Sequence, residues 1–363
     1  MTSLASQSDR QGFVERLQAW GRELGFQQLG ISNTELSEEE LRLQDWLDKG
    51  YQGDMAWMAS HGVKRSRPAL LHEGTRSVIS VRMDYLPTAS TDSEMVLNHP
   101  ELAYISRYAL GRDYHKVLKK KLQQLALRIQ DEIGAFGFRV FVDSAPVLEK
   151  PIAVKAGLGW VGKHSNILSR DAGSWFFLGE IYVDLELPET GAVQEHCGSC
   201  TACIDVCPTQ AIVAPYVVDA TRCISYLTIE LKGTIPLEFR EAIGNRIYGC
   251  DDCQLICPWN RFARQTEEPD YGVRYHLDSA RLLDLFAWSE AVFLDKMQGS
   301  AIRRIGYTRW QRNIAVALGN APYHQRIITA LMEQRASACD LVAEHIDWAL
   351  QQQKTKSQHA CYN

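Results

Sequence analysis

Cysteine is the residue that most constrains how this chain can fold. The sequence has 363 residues and 10 cysteines, and eight of the cysteines fall between Cys197 and Cys257. The first run, CGSCTACIDVCP (197–208), has the C-x2-C-x2-C-x3-C-P spacing of bacterial ferredoxins. Three such closely spaced thiolates bind one [4Fe–4S] cluster, and the fourth cysteine binds the other cluster in two-cluster proteins. We therefore expect this segment to be ordered mainly by what it binds.

A second set of cysteines follows the first and is incomplete by itself. It consists of Cys223 and the run CDDCQLICP (250–258), which lacks a third closely spaced cysteine. Zinc also binds CxxC pairs, so one or two structural zinc sites are the alternative, but the threefold run is more specific and favours clusters. Outside the block, we expect Cys339 to be a core residue and Cys361 an exposed thiol. If the last cysteine of each run binds the cluster of the other set, two complete ligand sets result. One cluster is then held by Cys197, Cys200, Cys203 and Cys257, and the other by Cys207, Cys223, Cys250 and Cys253.

The overall composition is that of an ordinary globular protein, with 45% hydrophobic and 23% charged residues. The 39 basic and 44 acidic residues give a formal net charge of −5. This balance excludes a basic field over the whole protein, so a nucleic-acid partner would have to bind a local patch. No apolar run approaches the roughly 18 residues of a membrane span, and the start, MTSLASQSDR, lacks an export signal. We predict a cytoplasmic protein without membrane contact.

Apolar periodicity predicts an α+β protein in three parts. Residues 1–190 are expected to form an α/β domain, and residues 191–262 a ferredoxin-type module with two clusters. Residues 263–363 read as short amphipathic helices that resemble the paired helices of HEAT-like repeats, with a frayed tail over the last ten residues. Leu41 is expected in the core. The helices predicted in the first part span 9–25, 38–49 and 113–133, and its strands span 77–83, 138–143 and 175–187.

Several long strings in the chain are similar to those of epoxyqueuosine reductases, which are cobalamin-dependent iron–sulfur enzymes that complete queuosine in the tRNA anticodon. The strings are individually unusual and run over nearly the whole chain. They are SRYALGRDYHKVLK (106–119), FVDSAPVLEKPIAVKAGLGWVGKHSNIL (141–168), GSWFFLGEI (173–181), GCDDCQLICPWN (249–260) and RWQRNIAVALGN (309–320).

The resemblance implies that residues 1–190 and the ferredoxin-type module enclose a cobalamin, and that the C-terminal helices help to bind tRNA. It also implies a base-off cobalamin. The D-x-H-x-x-G motif that supplies a cobalt-binding histidine in other B12 proteins is absent, because Asp113-Tyr-His115 is not followed by the required glycine. The cobalamin itself is expected only from the resemblance.

Asp143 is the candidate general acid for the epoxide oxygen, because it ends a predicted strand and falls where the resemblance puts the catalytic aspartate. The alternative is an aspartate that caps the next helix. In the family pattern Ser106 and His115 lie near the corrin and the substrate. Some relatives have cysteine where this chain has Ser106, which puts thiolate–cobalt contact in doubt here. His115 is expected either to donate a hydrogen bond to substrate or to lie on a helix surface.

The string GLGWVGK (157–163) looks like a dinucleotide fingerprint, but a predicted helix precedes it, so we do not expect NAD binding. Gly157 and Gly159 are instead predicted to allow close approach of the backbone to a corrin or nucleotide. Asp251 and Asp252 are expected to contact corrin amides or to be solvent-facing turn residues. The polar candidates around the substrate are Lys163, His164, Ser165 and Asn166.

The region most suited to RNA is 296–332, which has no Asp or Glu. Basic side chains bind phosphates, and aromatic rings such as Trp310 and Tyr307 stack on splayed bases. The alternative is an ordinary solvated helix face. The predicted tRNA contacts are Arg303, Arg304, Arg309 and Arg312.

These observations predict an oxidoreductase that reduces epoxyqueuosine to queuosine at the tRNA wobble position. Electrons from an unidentified low-potential donor would pass through two [4Fe–4S] clusters to base-off cobalamin, in a monomer. One alternative is a cobalamin enzyme of the reductive dehalogenase type that acts on a small molecule. The other is a non-catalytic iron–sulfur protein for electron transfer or RNA binding.

Overall fold

Helices and strands are interspersed from residue 7 to Tyr248, and the elements of the described residues after Tyr248 are all helical. A computed structural model describes residues 7–360, so Cys361 lies outside the described residues. Among the described residues, no helix is both long and apolar enough to span a membrane. The strands are β1 (Gln28–Ser32), β2 (Ser77–Asp84), β3 (Tyr104–Ile105), β4 (Phe138–Phe141), β5 (Trp160–Val161), β6 (Ile167–Leu168), β7 (Phe176–Val183), β8 (Ile212–Ala214), β9 (Val217–Val218) and β10 (Arg246–Tyr248). The helices are α1 (Gln7–Glu23), α2 (Ser37–Asp48), α3 (Pro68–Leu71), α4 (Ser93–Asn98), α5 (Tyr114–Ile133), α6 (Glu149–Lys155), α7 (Ala202–Asp205), α8 (Ile224–Ile229), α9 (Leu237–Ile243), α10 (Asp252–Leu255), α11 (Leu282–Phe286), α12 (Glu290–Lys296), α13 (Gly306–Asn320), α14 (Gln325–Arg335) and α15 (Asp340–Ala360).

The centre of the N-terminal half is a four-stranded sheet with the order β1-β2-β7-β4, and every neighbouring pair is antiparallel. All residues of β2 and β7 are buried, as the mostly apolar sequence of β7 predicts for a strand covered on both faces. Strand β2 is buried although it contains Ser77, Ser80, Arg82 and Asp84. Leu122 of α5 packs on one face with Ile181, and Ile152 of α6 packs on the other with Tyr182. Alternate side chains of β7 therefore point toward α5 and toward α6.

The predicted strand over 138–143 ends earlier than its sequence suggests. Strand β4 stops at Phe141, and Asp143 lies in the turn that leads to α6. At its other end α6 comes so close to β1 that a Cβ on Gly30 would lie 1.9 Å from the Ala156 carbonyl oxygen. The sheet therefore fixes both ends of α6, and with them the turn that presents Asp143.

The cysteine segment packs against parts of both flanking regions. Strand β3 pairs in parallel with β10, and Ile105 belongs to the same hydrophobic core as Ile247 and Leu318 of α13. The segment has short helices, α7 and α10, and a small β8–β9 hairpin. The boundary predicted at residue 190 is therefore crossed by a shared core.

The C-terminal helices pack around α13, with α15 against α13 and α14. The predicted frayed tail is wrong for its first residues, because α15 continues to Ala360. Lys356 donates hydrogen bonds to the carbonyls of Gly319 and Asn320 at 2.7 and 2.8 Å, at the end of α13. Two predicted core positions are also wrong: Cys339 is exposed, and Leu41 is 72% exposed.

Candidate active site and iron–sulfur sites

The eight clustered cysteines line two separate cavities. A cavity of about 210 Å³, the small cavity, is lined by Cys197, Cys200, Cys203 and Cys257, among other residues. A cavity of about 450 Å³, the main cavity, is lined by Cys207, Cys223, Cys250 and Cys253, among other residues. This is the same division of the cysteines that exchanging the last cysteine of each sequence run predicts.

Local backbone geometry explains how short runs deliver thiols to two places. Helices α7 and α10 form one turn each inside the two C-x2-C-x3-C-P runs, and the last cysteine of each run, Cys207 or Cys257, lies beyond the end of its helix. Lys163 fixes the first loop, because its Nζ donates to the carbonyls of Gly198 and Cys200 at 2.6 and 2.9 Å. Lys163 therefore lines the small cavity and belongs to the cluster site, and not to the surroundings of the main cavity.

The thiols of the main cavity lie in a low-dielectric environment. Burial raises the pKa of Cys223, and it raises the pKa values of Cys250 and Cys253 further. Three thiols that resist ionisation by themselves need a strongly positive group to hold them as thiolates, and iron supplies that charge. The chemistry of the donor set therefore fits an iron–sulfur cluster.

Asp143 lines the main cavity and is held there by two neighbours from the start of α5. The Tyr114 hydroxyl donates a hydrogen bond to Asp143 Oδ2, and His115 Nε2 lies 2.8 Å from Asp143 Oδ1. The other ring nitrogen of His115, Nδ1, lies 2.6 Å from Asp113 Oδ1. Tyr114 is itself stacked between His115 and Phe177, with ring centroids 4.1 and 4.0 Å away. These contacts give the carboxyl a defined orientation toward the cavity.

His115 is cationic at neutral pH in this setting. Burial disfavours its charged form, but the hydrogen bonds with Asp113 and Asp143 outweigh burial and raise its pKa to about 9. Asp143 is among the described residues that line the main cavity, whereas His115 is not. His115 therefore acts on the site through Asp143.

Ser106 and Asp251 form a buried hydrogen-bonded pair beside the main cavity. Asp251 is 2% exposed and accepts hydrogen bonds from Ser106 Oγ at 2.6 Å and from Tyr104 Oη at 2.8 Å. Asp252 pairs with Arg246, whose Nε lies 2.8 Å from Oδ2. Both aspartates are buried, so the interpretation of them as solvent-facing turn residues is wrong. Ser106, Asp251 and Asp252 all line the main cavity.

The two glycines predicted to approach a corrin instead approach other parts of the protein. A Cβ on Gly157, which has φ +75°, would lie 2.4 Å from the Gly191 carbonyl oxygen. A Cβ on Gly159 would lie 2.1 Å from the Leu168 carbonyl oxygen. Neither glycine is among the described residues that line the main cavity, so this prediction is wrong, and tight packing of backbone on backbone is the reason for these glycines.

Two residues of the basic run are fully buried, which contradicts their predicted contacts with tRNA. Arg312 is fully buried and donates to the carbonyls of Leu227, Leu231 and Gly233, so it cannot contact tRNA. Trp310 is fully buried in the helical core and cannot stack on a base.

Three predicted basic residues remain near the surface. Arg309 is half-buried and donates to the carbonyls of Ile305 and Ile229. Arg303 is exposed. Arg304 is paired with Glu230 and lines the main cavity with a side chain that is 50% exposed, so it marks the mouth of that cavity.

Sequence reasoning missed several residues of the main cavity, and three of them, Tyr114, Glu149 and Lys150, are ionisable or contact Asp143. Glu149 and Lys150 begin α6 and line the cavity together with Asp143. Lys150 Nζ donates to the Ser165 carbonyl at 2.9 Å and so joins α6 to the turn between β5 and β6. These three residues lie in the strings 106–119 and 141–168, so proximity to Asp143 and His115 in sequence was the available signal.

Two family models match parts of this chain. The family model for epoxyqueuosine reductase QueG matches residues 65–144, and the model for a 4Fe–4S double cluster binding domain matches residues 196–260. The epoxyqueuosine reductase of Pseudomonas aeruginosa is 60% identical over 346 residues, which cover 95% of this chain and 96% of that protein. The enzyme of Escherichia coli is 58% identical over 353 residues, which cover 97% of this chain and 92% of that protein.

Solved structures of epoxyqueuosine reductases are similar to this fold. An epoxyqueuosine reductase crystallised with an epoxyqueuosine-modified tRNA-Tyr stem loop has a TM-score of 0.86 at 27% identity, covering 94% of this chain and 90% of that chain. The Bacillus subtilis enzyme, with its catalytic aspartate loop swung out of the active site, has a TM-score of 0.86 at 27% identity, covering 94% and 91%. Identity of 60% over nearly the full length shows that this chain and the Pseudomonas aeruginosa enzyme are homologous. This chain belongs to the epoxyqueuosine reductase family of oxidoreductases and carries a double 4Fe–4S cluster domain.

Proposed function

We propose that this chain reduces epoxyqueuosine to queuosine at the wobble position of tRNA, with cobalamin in the main cavity and one [4Fe–4S] cluster on each set of four cysteines. The observation that carries the proposal is that Asp143 and four cysteines line one cavity. Conversion of an epoxide to an alkene consumes two electrons and two protons and releases water. A proton donor and an electron-transfer centre must therefore meet in one place.

The division of the cysteines supports a direction for electron flow. Cys200 of the small cavity is exposed, whereas the other set lines the cavity that also contains Asp143. Cys203 of the small-cavity set is close enough to Cys253 to affect it electrostatically. When bound, the clusters supply one-electron transfer. A low-potential donor would dock beside Cys200, on the side of the small cavity.

The main cavity has the character expected of a corrin site. Its walls combine apolar side chains, such as Phe176 and Leu178, with polar ones, and Ser165, Asn166 and Asp252 would hold the corrin amides. Both ring nitrogens of His115 are occupied by carboxylates, so this histidine is not available to cobalt, which agrees with a base-off cofactor. When bound, cobalamin supplies a strongly reducing cobalt centre.

Asp143 would deliver a proton to the oxygen that leaves the substrate. Its carboxyl faces the cavity and contacts protonated His115, which can replace the proton that Asp143 gives up. Tyr114 keeps the carboxyl in this orientation through its hydrogen bond to Oδ2. Asp143 is thus the residue that touches substrate, and His115 and Tyr114 are positioning residues.

The tRNA would approach from the C-terminal helices. Arg304 at the mouth of the main cavity and the exposed Arg303 beside it are suited to phosphates of an anticodon stem-loop. Because one chain contains both cysteine sets and Asp143, we infer that the enzyme works as a monomer. Its tRNA substrate implies action in the cytoplasm.

The test is turnover by the full chain after anaerobic reconstitution. Metal analysis should find about eight irons and one cobalt per chain, and nucleoside mass spectrometry should detect queuosine in epoxyqueuosine-tRNA after addition of a strong reductant. A halogenated phenol offered in place of tRNA should not be reduced. Absence of queuosine with both cofactors loaded, or dehalogenation instead, would overturn the proposal.

A further inference from the structure

Epoxide reduction needs a second proton, and Asp143 with His115 provides only one route for protons into the main cavity. A further acid in the same cavity would shorten the cycle, because the oxygen could leave directly as water. Of the five carboxyls that line the main cavity, one has no side-chain hydrogen bond or ion pair among the described residues. It belongs to Glu149.

Glu149 is free to act on a ligand. It is the first residue of α6, and its side chain lines the main cavity together with Asp143 and Lys150. Neighbouring Lys150 is engaged elsewhere, with the Ser165 carbonyl and Asn166 Oδ1. By contrast, no side-chain hydrogen bond or ion pair joins Glu149 to another residue within 7–360, whereas the other cavity carboxyls, those of Asp143, Glu230, Asp251 and Asp252, all have partners.

The groups around Glu149 keep it protonated at neutral pH. Burial and the negative charge of Asp143 raise its pKa to about 8, although the cationic groups of Lys150 and His115 act in the opposite direction. Glu180 of β7 is the fourth ionisable group that interacts with it. Below about pH 8 the cavity therefore contains a carboxylic acid with a proton to give.

Glu180 is a matched control for Glu149, because it is a glutamate on the strand that packs against α6. It lies between Leu178 and Tyr182 on the face of β7 that packs on α6, is fully buried, and has no hydrogen-bond partner for either oxygen among the described residues. Burial, followed by the charges of Glu149 and Asp143, raises its pKa well above the ordinary value. Unlike Glu149, it is not among the described residues that line the main cavity.

We propose that Glu149 is a second catalytic acid, which protonates the departing oxygen of epoxyqueuosine after Asp143 has given the first proton. The proposal rests on the proposed function. In balance, both carbon–oxygen bonds of the epoxide break and a carbon–carbon double bond forms. The two electrons would come from the external donor by way of the clusters that the cysteines would hold, and the oxygen would leave as water with one proton from the His115–Asp143 pair and one from Glu149. Solvent protons then restore both acids.

The decisive comparison is Glu149→Gln against Glu180→Gln in the reconstituted holoenzyme. Glu149→Gln removes the acid and keeps its shape, so we expect queuosine formation at pH 7 to fall by about 100-fold, within the usual range for general acids. The wild-type rate should decline as pH rises through about 8, and in Glu149→Gln the decline should begin only near pH 9, where His115 loses its proton. Glu180→Gln should keep the wild-type rate and pH profile. Equal rates and profiles in Glu149→Gln and wild type would overturn the proposal.

A second measurement does not depend on turnover. Infrared difference spectra of the holoenzyme should show a protonated-carboxyl band that weakens as pH rises through about 8. The change should persist in Glu180→Gln and be absent in Glu149→Gln. If wild type forms no queuosine, the proposed function fails, and this spectrum still tests the state of Glu149. If wild type is active but the band does not depend on Glu149, the second acid is excluded.

Discussion

The cysteine segment and the basic region at α13 were both conspicuous in sequence, yet they are used in opposite ways. The eight cysteines converge on two cavities, four at each. In the basic region, Arg312 is fully buried and donates to three backbone carbonyls, whereas Arg303 lies at the surface. A thiol run of defined spacing has few purposes in a protein, because its geometry suits a metal cluster. A guanidinium binds a carbonyl as readily as a phosphate, so composition does not say which it will meet.

The contrast between the cysteine segment and the basic region predicts the largest effect for a substitution at a cysteine. Cys253→Ala should remove one cluster, lower iron content from about eight to about four per chain, and abolish queuosine formation. Cys339→Ala, a change at an exposed cysteine outside the cluster sets, is the control and should keep full iron and activity. Iron analysis and nucleoside mass spectrometry make the measurement. Full iron content in Cys253→Ala would contradict the assignment of the main-cavity set.

The next largest effect is expected at the carboxyl that faces those cysteines. Asp143→Asn removes the proton and retains the shape of the side chain, so queuosine formation should fall about 100- to 10,000-fold. Binding of tRNA should not change, since Asp143 lies inside the cavity. Ser144→Ala, at the exposed neighbouring position, is the control. Turnover at the wild-type rate in Asp143→Asn would remove this residue from the acid role.

Within the basic region, we expect Arg312 to contribute to the free energy of unfolding and not to tRNA binding. Arg312→Ala leaves three carbonyls without their donor, and we expect a loss of about 3 kcal/mol in the free energy of unfolding. Thermal denaturation measures this loss, and Arg303→Ala is the control because its side chain is exposed. If Arg312→Ala weakened tRNA binding and left the free energy of unfolding unchanged, the structural role assigned to the buried Arg312 side chain would be wrong.

The smallest effect is expected at the surface arginine. Arg303→Ala should weaken tRNA binding only a few-fold and reduce the slope of log Kd against log salt by about 1. Titration of labelled anticodon stem-loop at several salt concentrations measures both quantities. Thr308→Ala, an exposed neutral position on α13, should change neither. An unchanged salt slope in Arg303→Ala would make this part of the basic region ordinary surface.

Sequence periodicity located most of the elements that carry the site. The strand predicted over 77–83 is β2, and the helix predicted over 113–133 is α5. The wrong predictions concern local patterns that are compatible with more than one tertiary environment. Leu41 repeats at helical spacing but is 72% exposed, and Gly157 lies near the predicted cofactor in sequence but packs against Gly191. Such outcomes depend on which surface another element covers.

The sequence by itself determined the double-cluster domain and the kinship of the chain, because thiol spacing and long unusual strings are local properties of the polypeptide. Tertiary structure alone decided which other side chains meet those thiols. It holds Asp143 between Tyr114 and His115 and, within residues 7–360, gives Glu149 no side-chain partner in the same cavity. The physical reason is that protonation and charge depend on burial and on neighbours brought together from distant parts of the chain, and a sequence pattern contains neither.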